Sequence, residues 1–173
     1  MSWFRRWLGG SGWSARDAKA NRVDYLREAL GLEREGKYEG ALTSYQLALR
    51  DQPNDHRVLQ NMAIAYSKTG RLEEAIRCYR RALDIKPQLS GAHYGLAFLL
   101  LKRGDTVGAQ LHLDAFLANP PHAAESDRWI EHARDTLRAL RGDDPTALPL
   151  HGHAGGDATA GPPADDMLPM AEP

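Results

Sequence analysis

The apolar residues in the central part of the chain recur every three or four positions, which is the spacing of amphipathic helices. In the segment LEEAIRCYRRALDIK, for example, Ala75, Tyr79, Ala82 and Leu83 fall on one side of a helix. Glycine or proline separates one such segment from the next, and both residues end helices. The pattern therefore predicts an all-α fold.

The helical segments repeat with a period of 34 residues. At this offset, small, apolar and helix-ending residues align in three successive units: Ala29, Ala63 and Ala97; Gly36, Gly70 and Gly104; Ala41, Ala75 and Ala109; Leu49, Leu83 and Leu117; Pro53, Pro87 and Pro121. Alanine lets two helices approach closely, glycine can end the first helix in the left-handed conformation, and proline can close the second. The spacing predicts three helix–turn–helix units at about 22–55, 56–89 and 90–123.

The period, and the glycine, tyrosine, alanine and proline positions within it, resemble the tetratricopeptide repeat. The second unit, HRVLQNMAIAYSKTGRLEEAIRCYRRALDIKPQ, carries this resemblance most fully. The third unit departs from it, because Phe116 stands where the first two have Ala48 and Ala82, and Thr106 replaces an aromatic residue or leucine. The resemblance implies a superhelix whose concave groove is lined by the first helix of each unit and binds partners.

After Pro121, the segment AESDRWIEHARDTLRALRG predicts a seventh helix at about 124–141. Ser126 or Asp127 can cap its start, and Gly142 can end it. The segment has one apolar stripe but lacks the alanine and glycine positions of the repeat. We therefore interpret it as the capping helix with a polar outer face that a stack of repeats needs.

The chain divides into three parts, of which residues 14–141 are expected to form the repeat domain. Residues 1–13 are a separate aromatic and basic segment with a glycine-rich linker. Residues 142–173 are rich in Gly, Ala, Pro and Asp and poor in large apolar residues, which predicts a disordered tail. The net charge is −1, yet residues 1–141 hold 22 basic and 17 acidic residues, while the tail holds six acidic and no basic ones. This balance gives no argument for a nucleic-acid partner.

Residues suited to chemistry are sparse. The single cysteine, Cys78, excludes an internal disulfide and is expected to pack between helices. The histidines lack metal-ligand spacing apart from a weak His151-Gly-His153 pair, and no nucleophile elbow, phosphate loop or dinucleotide fingerprint is present. We therefore expect a protein that is not an enzyme and holds no cofactor or metal. No apolar run approaches the roughly 20 residues that span a bilayer, so we expect a cytoplasmic protein, and its Arg-, Ala- and Leu-rich composition favours a bacterial source.

The resemblance also assigns residues to the concave groove. The positions that would face it are Leu26, Leu30, Gln60, Asn61, Ile64, Tyr94, Phe98 and Leu101. Tyr94 and Phe98 are four residues apart and would form a paired aromatic anchor. The alternative is that such apolar residues pack against the capping helix or one another. An apolar groove with an aromatic anchor suits a partner peptide or an amphipathic helix.

One class within the family holds the terminal carboxylate of chaperones with Lys, Asn and Arg side chains in this groove. Of the five positions that the class uses, only Asn61 matches in this chain. The other four hold Leu26, Leu30, Gly91 and Gly95. A role as a chaperone co-factor is therefore rejected.

A row of cations repeats with the units. Arg34, Lys68 and Lys102 each lie two residues before the glycine that ends the first helix. One interpretation is that they complement the dipole at the helix C-terminus. The other is a basic groove rim that attracts an acidic peptide, for which the acidic tail of the chain itself is a candidate.

The chain starts with MSWFRRWLGGSGW, which needs a separate explanation. At 100° per residue, one helical arc holds Trp3, Phe4, Trp7 and Leu8, and the opposite arc holds Arg5 and Arg6. Such a segment could lie on an anionic membrane, dock in a groove of this chain or of a second copy, or have no ordered role. The function predicted overall is a protein–protein adaptor, with a membrane-peripheral assembly factor or a self-assembling protein as alternatives.

Overall fold

The computed structural model describes residues 24–121 and 126–142, and it contains seven helices and no strand within those ranges. The helices are α1 (Tyr25–Arg34), α2 (Tyr38–Asp51), α3 (His56–Lys68), α4 (Leu72–Ile85), α5 (Ser90–Arg103), α6 (Thr106–Ala118) and α7 (Asp127–Arg141). None of them is long and apolar enough to cross a lipid bilayer. The predictions for residues 1–13 and for the tail beyond Gly142 lie outside the described ranges.

The helices pack as three successive pairs, α1 with α2, α3 with α4 and α5 with α6, and each pair also packs on the next. Within each pair, a glycine with positive φ ends the first helix: Gly36 at 72°, Gly70 at 76° and Gly104 at 86°. Residues other than glycine rarely adopt this backbone conformation. The three predicted helix–turn–helix units and the role of their glycines are confirmed.

Aspartates fix the start of three helices. Asp24 accepts a hydrogen bond from the backbone N–H of Arg27, Asp55 accepts from Arg57 and Val58, and Asp105 accepts from Gly108. These carboxylates satisfy backbone donors that have no partner within the helix. At α7, Ser126 occupies the cap position as expected, but its hydroxyl makes no capping hydrogen bond.

Two apolar cores hold the stack together. The larger one runs through α1 to α6 and includes Leu59, Ile76 and Leu96, which are almost fully buried. The smaller core joins α5, α6 and α7. Its members are Tyr94, Ala97, Leu113, Phe116, Ala133 and Leu137.

The smaller core explains why the third unit departs from the repeat pattern. Phe116 is only 2% exposed, and its ring lies 5.1 Å from that of Tyr94 in a cluster that α7 completes. Ala48 and Ala82 occupy the equivalent positions in the first two units, where another repeat follows. The larger ring in the third unit therefore fills the space against the capping helix.

Candidate functional site

The predicted groove residues come from α1, α3 and α5, and their burial differs widely. Leu26, Leu30 and Leu101 are half-buried and pack against the larger core. Ile64 is buried within that core at 7% exposure. Gln60 and Asn61 are also half-buried, and they are the polar members of the set.

The aromatic pair does not line an open surface. Tyr94 is 4% exposed, and its ring lies 4.7 Å from that of Phe98 and 5.4 Å from that of Trp129. Its hydroxyl is 2.6 Å from Nδ1 of His132, and Phe98 stacks on the His132 ring at 4.7 Å. The expected exposed anchor is therefore corrected, because α7 covers the face that Tyr94 and Phe98 share. The alternative, packing against the capping helix, describes both residues.

A polar cluster connects the first two units. The hydroxyl of Tyr45 on α2 donates to Oε2 of Glu33 on α1 at 2.5 Å, and the side chain of Asn61 on α3 hydrogen-bonds to the same tyrosine. Burial raises the pKa of Glu33, while the hydrogen bond from Tyr45 acts to lower it. Asn61 is thus held by α2 as well as by its own helix.

The cations of the predicted rim are exposed in the last turns of their helices, Arg34 in α1, Lys68 in α3 and Lys102 in α5. Arg34 and Lys68 both act on the half-buried Glu33, lowering its pKa against the effect of burial. Part of their charge is therefore balanced by a carboxylate inside the protein. Their positions at helix C-termini also agree with the interpretation based on the helix dipole.

Two glycines of α5 mark a close approach between units. A Cβ atom at Gly91 would lie 2.9 Å from Nε2 of Gln60, and one at Gly95 would lie 2.5 Å from the hydroxyl of Tyr79. Side chains of the second unit thus occupy the space that larger residues on α5 would need. The Oε1 atom of Gln60 is buried and has no hydrogen-bond partner within the described ranges.

Two histidines that are far apart in sequence meet between α5 and α6. Nδ1 of His93 lies 3.0 Å from Nδ1 of His112, and Nε2 of His93 lies 2.8 Å from the carbonyl oxygen of Pro87. The ring centroids are 5.2 Å apart, so the two Nδ1 atoms face each other almost directly. Because a carbonyl oxygen only accepts, Nε2 of His93 donates to Pro87, and Nδ1 of a neutral His93 then accepts a hydrogen bond from Nδ1 of His112. In the part of the chain that the structure covers, no group of three or more His, Cys, Asp or Glu could hold a metal.

Neither the Glu33–Tyr45–Asn61 cluster nor the histidine pair could be predicted directly from the sequence. Their members are separated by 12 to 28 residues and come from different helices. For the Glu33–Tyr45–Asn61 cluster, the available signal was that a tyrosine recurs at the 34-residue period, as Tyr45 and Tyr79. Periodicity identifies the helix face of such a residue but not the polar atom that its hydroxyl meets.

Comparison with known sequences places the repeats in a family. A TPR repeat family model matches residues 65–104, and a tetratricopeptide repeat model matches residues 44–77. The photosystem I assembly protein Ycf3 of Parasynechococcus marenigrum (strain WH8102) is 32% identical over 114 residues. That match covers 64% of this chain and 60% of the relative, so the chain spans less than two thirds of the relative's length.

Solved structures share the fold. The Yersinia enterocolitica type III secretion chaperone SycD, in complex with a peptide of the translocator YopD, has a TM-score of 0.65 and 17% identity, over 77% of this chain and 98% of that one. The Sgt2 TPR domain from Aspergillus fumigatus has a TM-score of 0.58 and 25% identity, over 76% of this chain and 89% of that one. Together with the repeat matches and the three helix pairs, this likeness identifies the chain as a tetratricopeptide repeat protein with three repeats and a capping helix.

Proposed function

We propose that this protein is a non-enzymatic adaptor that binds a segment of a partner protein along the concave side of its repeats. The segment would be a peptide or an amphipathic helix. Support comes from the fold, which SycD uses in a complex with a translocator peptide. Further support comes from the Ycf3 relative, which is an assembly protein. A subunit that awaits assembly is therefore the partner class that we favour.

The observation that carries this proposal is the pair of half-buried amide side chains on α3, Gln60 and Asn61, together with the half-buried Leu26 and Leu30 on α1, the corresponding helix of the first repeat. The carboxamide N–H groups can donate to the backbone of a bound peptide, and because Oε1 of Gln60 is buried, Gln60 contributes donors only. The leucines supply apolar contact area in the first repeat. Asn61 is also held in place by Tyr45, so little side-chain freedom would be lost on binding.

We assign binding to the first two repeats rather than to the third. Tyr94 and Phe98 pack against α7, so the third repeat offers less apolar surface on this side. The exposed cations Arg34, Lys68 and Lys102 would favour a partner segment that carries acidic residues. Binding would then weaken as salt is added.

Affinity capture tests the proposal, with the intact protein, Gln60→Ala/Asn61→Ala and the control Arg77→Ala on the exposed side of α4 as bait. We expect a partner that the intact protein and the control retain and that the double variant loses. Circular dichroism should show that all three baits are folded. Equal recovery by the double variant, or equal loss by the control, would contradict the proposed site.

Attachment to the inner face of the membrane through residues 1–8, and self-assembly, remain alternative proposals. The residues that would carry the attachment are Trp3, Phe4, Arg5, Arg6, Trp7 and Leu8, all outside the described ranges. A segment of eight residues would bind a membrane weakly and reversibly, so it would assist a membrane-bound partner rather than replace one. Both alternatives are compatible with an adaptor located in the cytoplasm.

A further inference from the structure

Helix α6 carries a pair of apolar side chains on its outer surface. Val107 is 77% exposed and Leu111 is 67% exposed. The two residues are four positions apart and therefore lie on one face of the helix. We call them the α6 stripe. Single exposed apolar residues are normal on a protein surface. An aligned pair is better judged against the residues at the equivalent positions of the other two repeats.

The two preceding repeats have polar residues at the same positions. Val107 corresponds to Glu39 and Glu73, which are exposed on α2 and α4. Leu111 corresponds to Thr43 and Arg77, which are likewise exposed. The first two repeats thus show which residues this chain has at these positions when they are exposed to solvent, and both repeats have polar ones. Only the third repeat has aliphatic side chains there.

The chain leaves α7 next to the α6 stripe. Arg141, the last residue of α7, pairs with both carboxylate oxygens of Asp114 at 2.8 Å. Asp114 lies seven residues after Val107, which places it on the same face of α6. In addition, Nε2 of Gln110 donates to the carbonyl oxygen of Leu140 at 3.2 Å. The residues after Gly142 therefore start at one end of the stripe.

The next residues, DDPTALPL at 143–150, have leucines at a suitable spacing. Pro149 disfavours the helical conformation for Leu148, and in an extended chain Leu148 and Leu150 point the same way, about 6.6 Å apart. Val107 and Leu111 are separated by about 6 Å along the helix axis. The tail after Gly142 is acidic, whereas the body is basic. Arg103 lies at the other end of the stripe, where it pairs with Glu73 and Asp105.

We propose that residues 143–150 pack in extended form across the outer face of α6, with Leu148 and Leu150 against Val107 and Leu111. A second copy of the chain is a poorer occupant, because two side chains fall far short of the roughly 800 Å² per partner that a stable interface buries. A segment tethered beside the stripe needs less buried area to stay bound, because its effective concentration is in the millimolar range. The docked tail would leave the concave side of the repeats open.

Paramagnetic relaxation tests this contact in the full-length chain. The spin label is placed by His151→Cys in a Cys78→Ser background, and the backbone amides of α6 are observed by NMR. We expect the amide signals of Val107 and Leu111 to lose intensity, while those of Glu39 and Thr43 on α2 keep theirs. An equal loss of signal intensity on α6 and α2, or no loss on either helix, would overturn the proposal.

Two further samples make the result specific. The variant Val107→Glu/Leu111→Arg restores the residues of the second repeat, and because both positions are exposed it should fold normally and lose the effect on α6. In a mixture of spin-labelled chains without isotope and isotope-labelled chains without spin label, no broadening is expected at α6. Broadening in the mixture would mean that a second copy occupies the stripe, and persistence in the double variant would mean that the stripe is not the contact. Either result would overturn the proposal.

Discussion

Individual residues of the stack are constrained by the neighbouring repeat as much as by their own helix. Gly95 illustrates this, because Tyr79 of the preceding repeat occupies the space beside its Cα. Tyr79 is 3% exposed, so its ring has little room to move. The absence of a side chain at position 95 is therefore a condition for the contact between α4 and α5.

This constraint predicts opposite effects for two glycine-to-alanine substitutions. Gly95→Ala should lower the free energy of unfolding by about 1–3 kcal/mol, which is typical of overpacking. Gly31→Ala, within α1 and with no atom of the described residues within 4 Å of the added Cβ, should instead raise it by about 0.5–1 kcal/mol. Urea denaturation of both variants measures the difference. If Gly95→Ala were as stable as the unchanged protein, α4 and α5 could not be as close as described.

Residue-scale contacts of this kind were only partly predictable. The 34-residue period correctly indicated the helix-ending glycines and the alanines between helices, because those roles depend on local geometry. The placement of Tyr94 and Phe98 was not predictable in the same way. Helical spacing shows that they share a face, but the helix that covers this face lies far along the chain, since its contact residue His132 is 38 residues after Tyr94.

Among the helices, α7 has a particular role, since it completes the smaller core and closes the third repeat. His132 connects it to α5 through the hydroxyl of Tyr94 and the ring of Phe98. Burial lowers the pKa of His132, and the nearby Asp135 opposes this effect. The contact therefore favours the neutral imidazole.

The lowered pKa of His132 predicts a pH dependence of stability. A histidine whose pKa is lower in the folded than in the unfolded protein binds protons more readily when unfolded, so protonation favours unfolding. Its stabilising contribution is present above about pH 6.5, the value for an unperturbed histidine, and is lost as the pH falls below that. His56 and His112 also have lowered pKa values, mainly through burial, and add to the same trend.

Thermal denaturation between pH 7.5 and pH 5 measures this effect. The melting temperature should fall toward acidic pH, and His132→Gln should reduce the slope without abolishing it. The slope that remains combines His56 and His112, which act in the same direction, with Glu33, whose raised pKa acts in the opposite direction. A melting temperature that rises as the pH falls from 7.5 to 5 would contradict the assigned direction.

At the scale of the whole molecule, the three repeats form one stack with different surfaces on its two sides. The half-buried amides and leucines that we propose to bind a partner belong to the first two repeats, whereas α7 covers Tyr94 and Phe98 of the third. The outer side is polar in the first two repeats and apolar on α6. The fold class and the capping helix followed from the sequence, since both depend on periodicity. The extent of the open groove did not, because it depends on how α7 packs.

Hydrogen–deuterium exchange of the full-length protein, alone and with the partner recovered by affinity capture, tests the proposed binding site most directly. We expect added protection in α1 and α3, around Leu26, Leu30, Gln60 and Asn61. We expect little change around Tyr94 and Phe98, which α7 already covers. Protection confined to α5, α6 and α7, with α1 and α3 unchanged, would contradict the proposal that the first two repeats bind the partner.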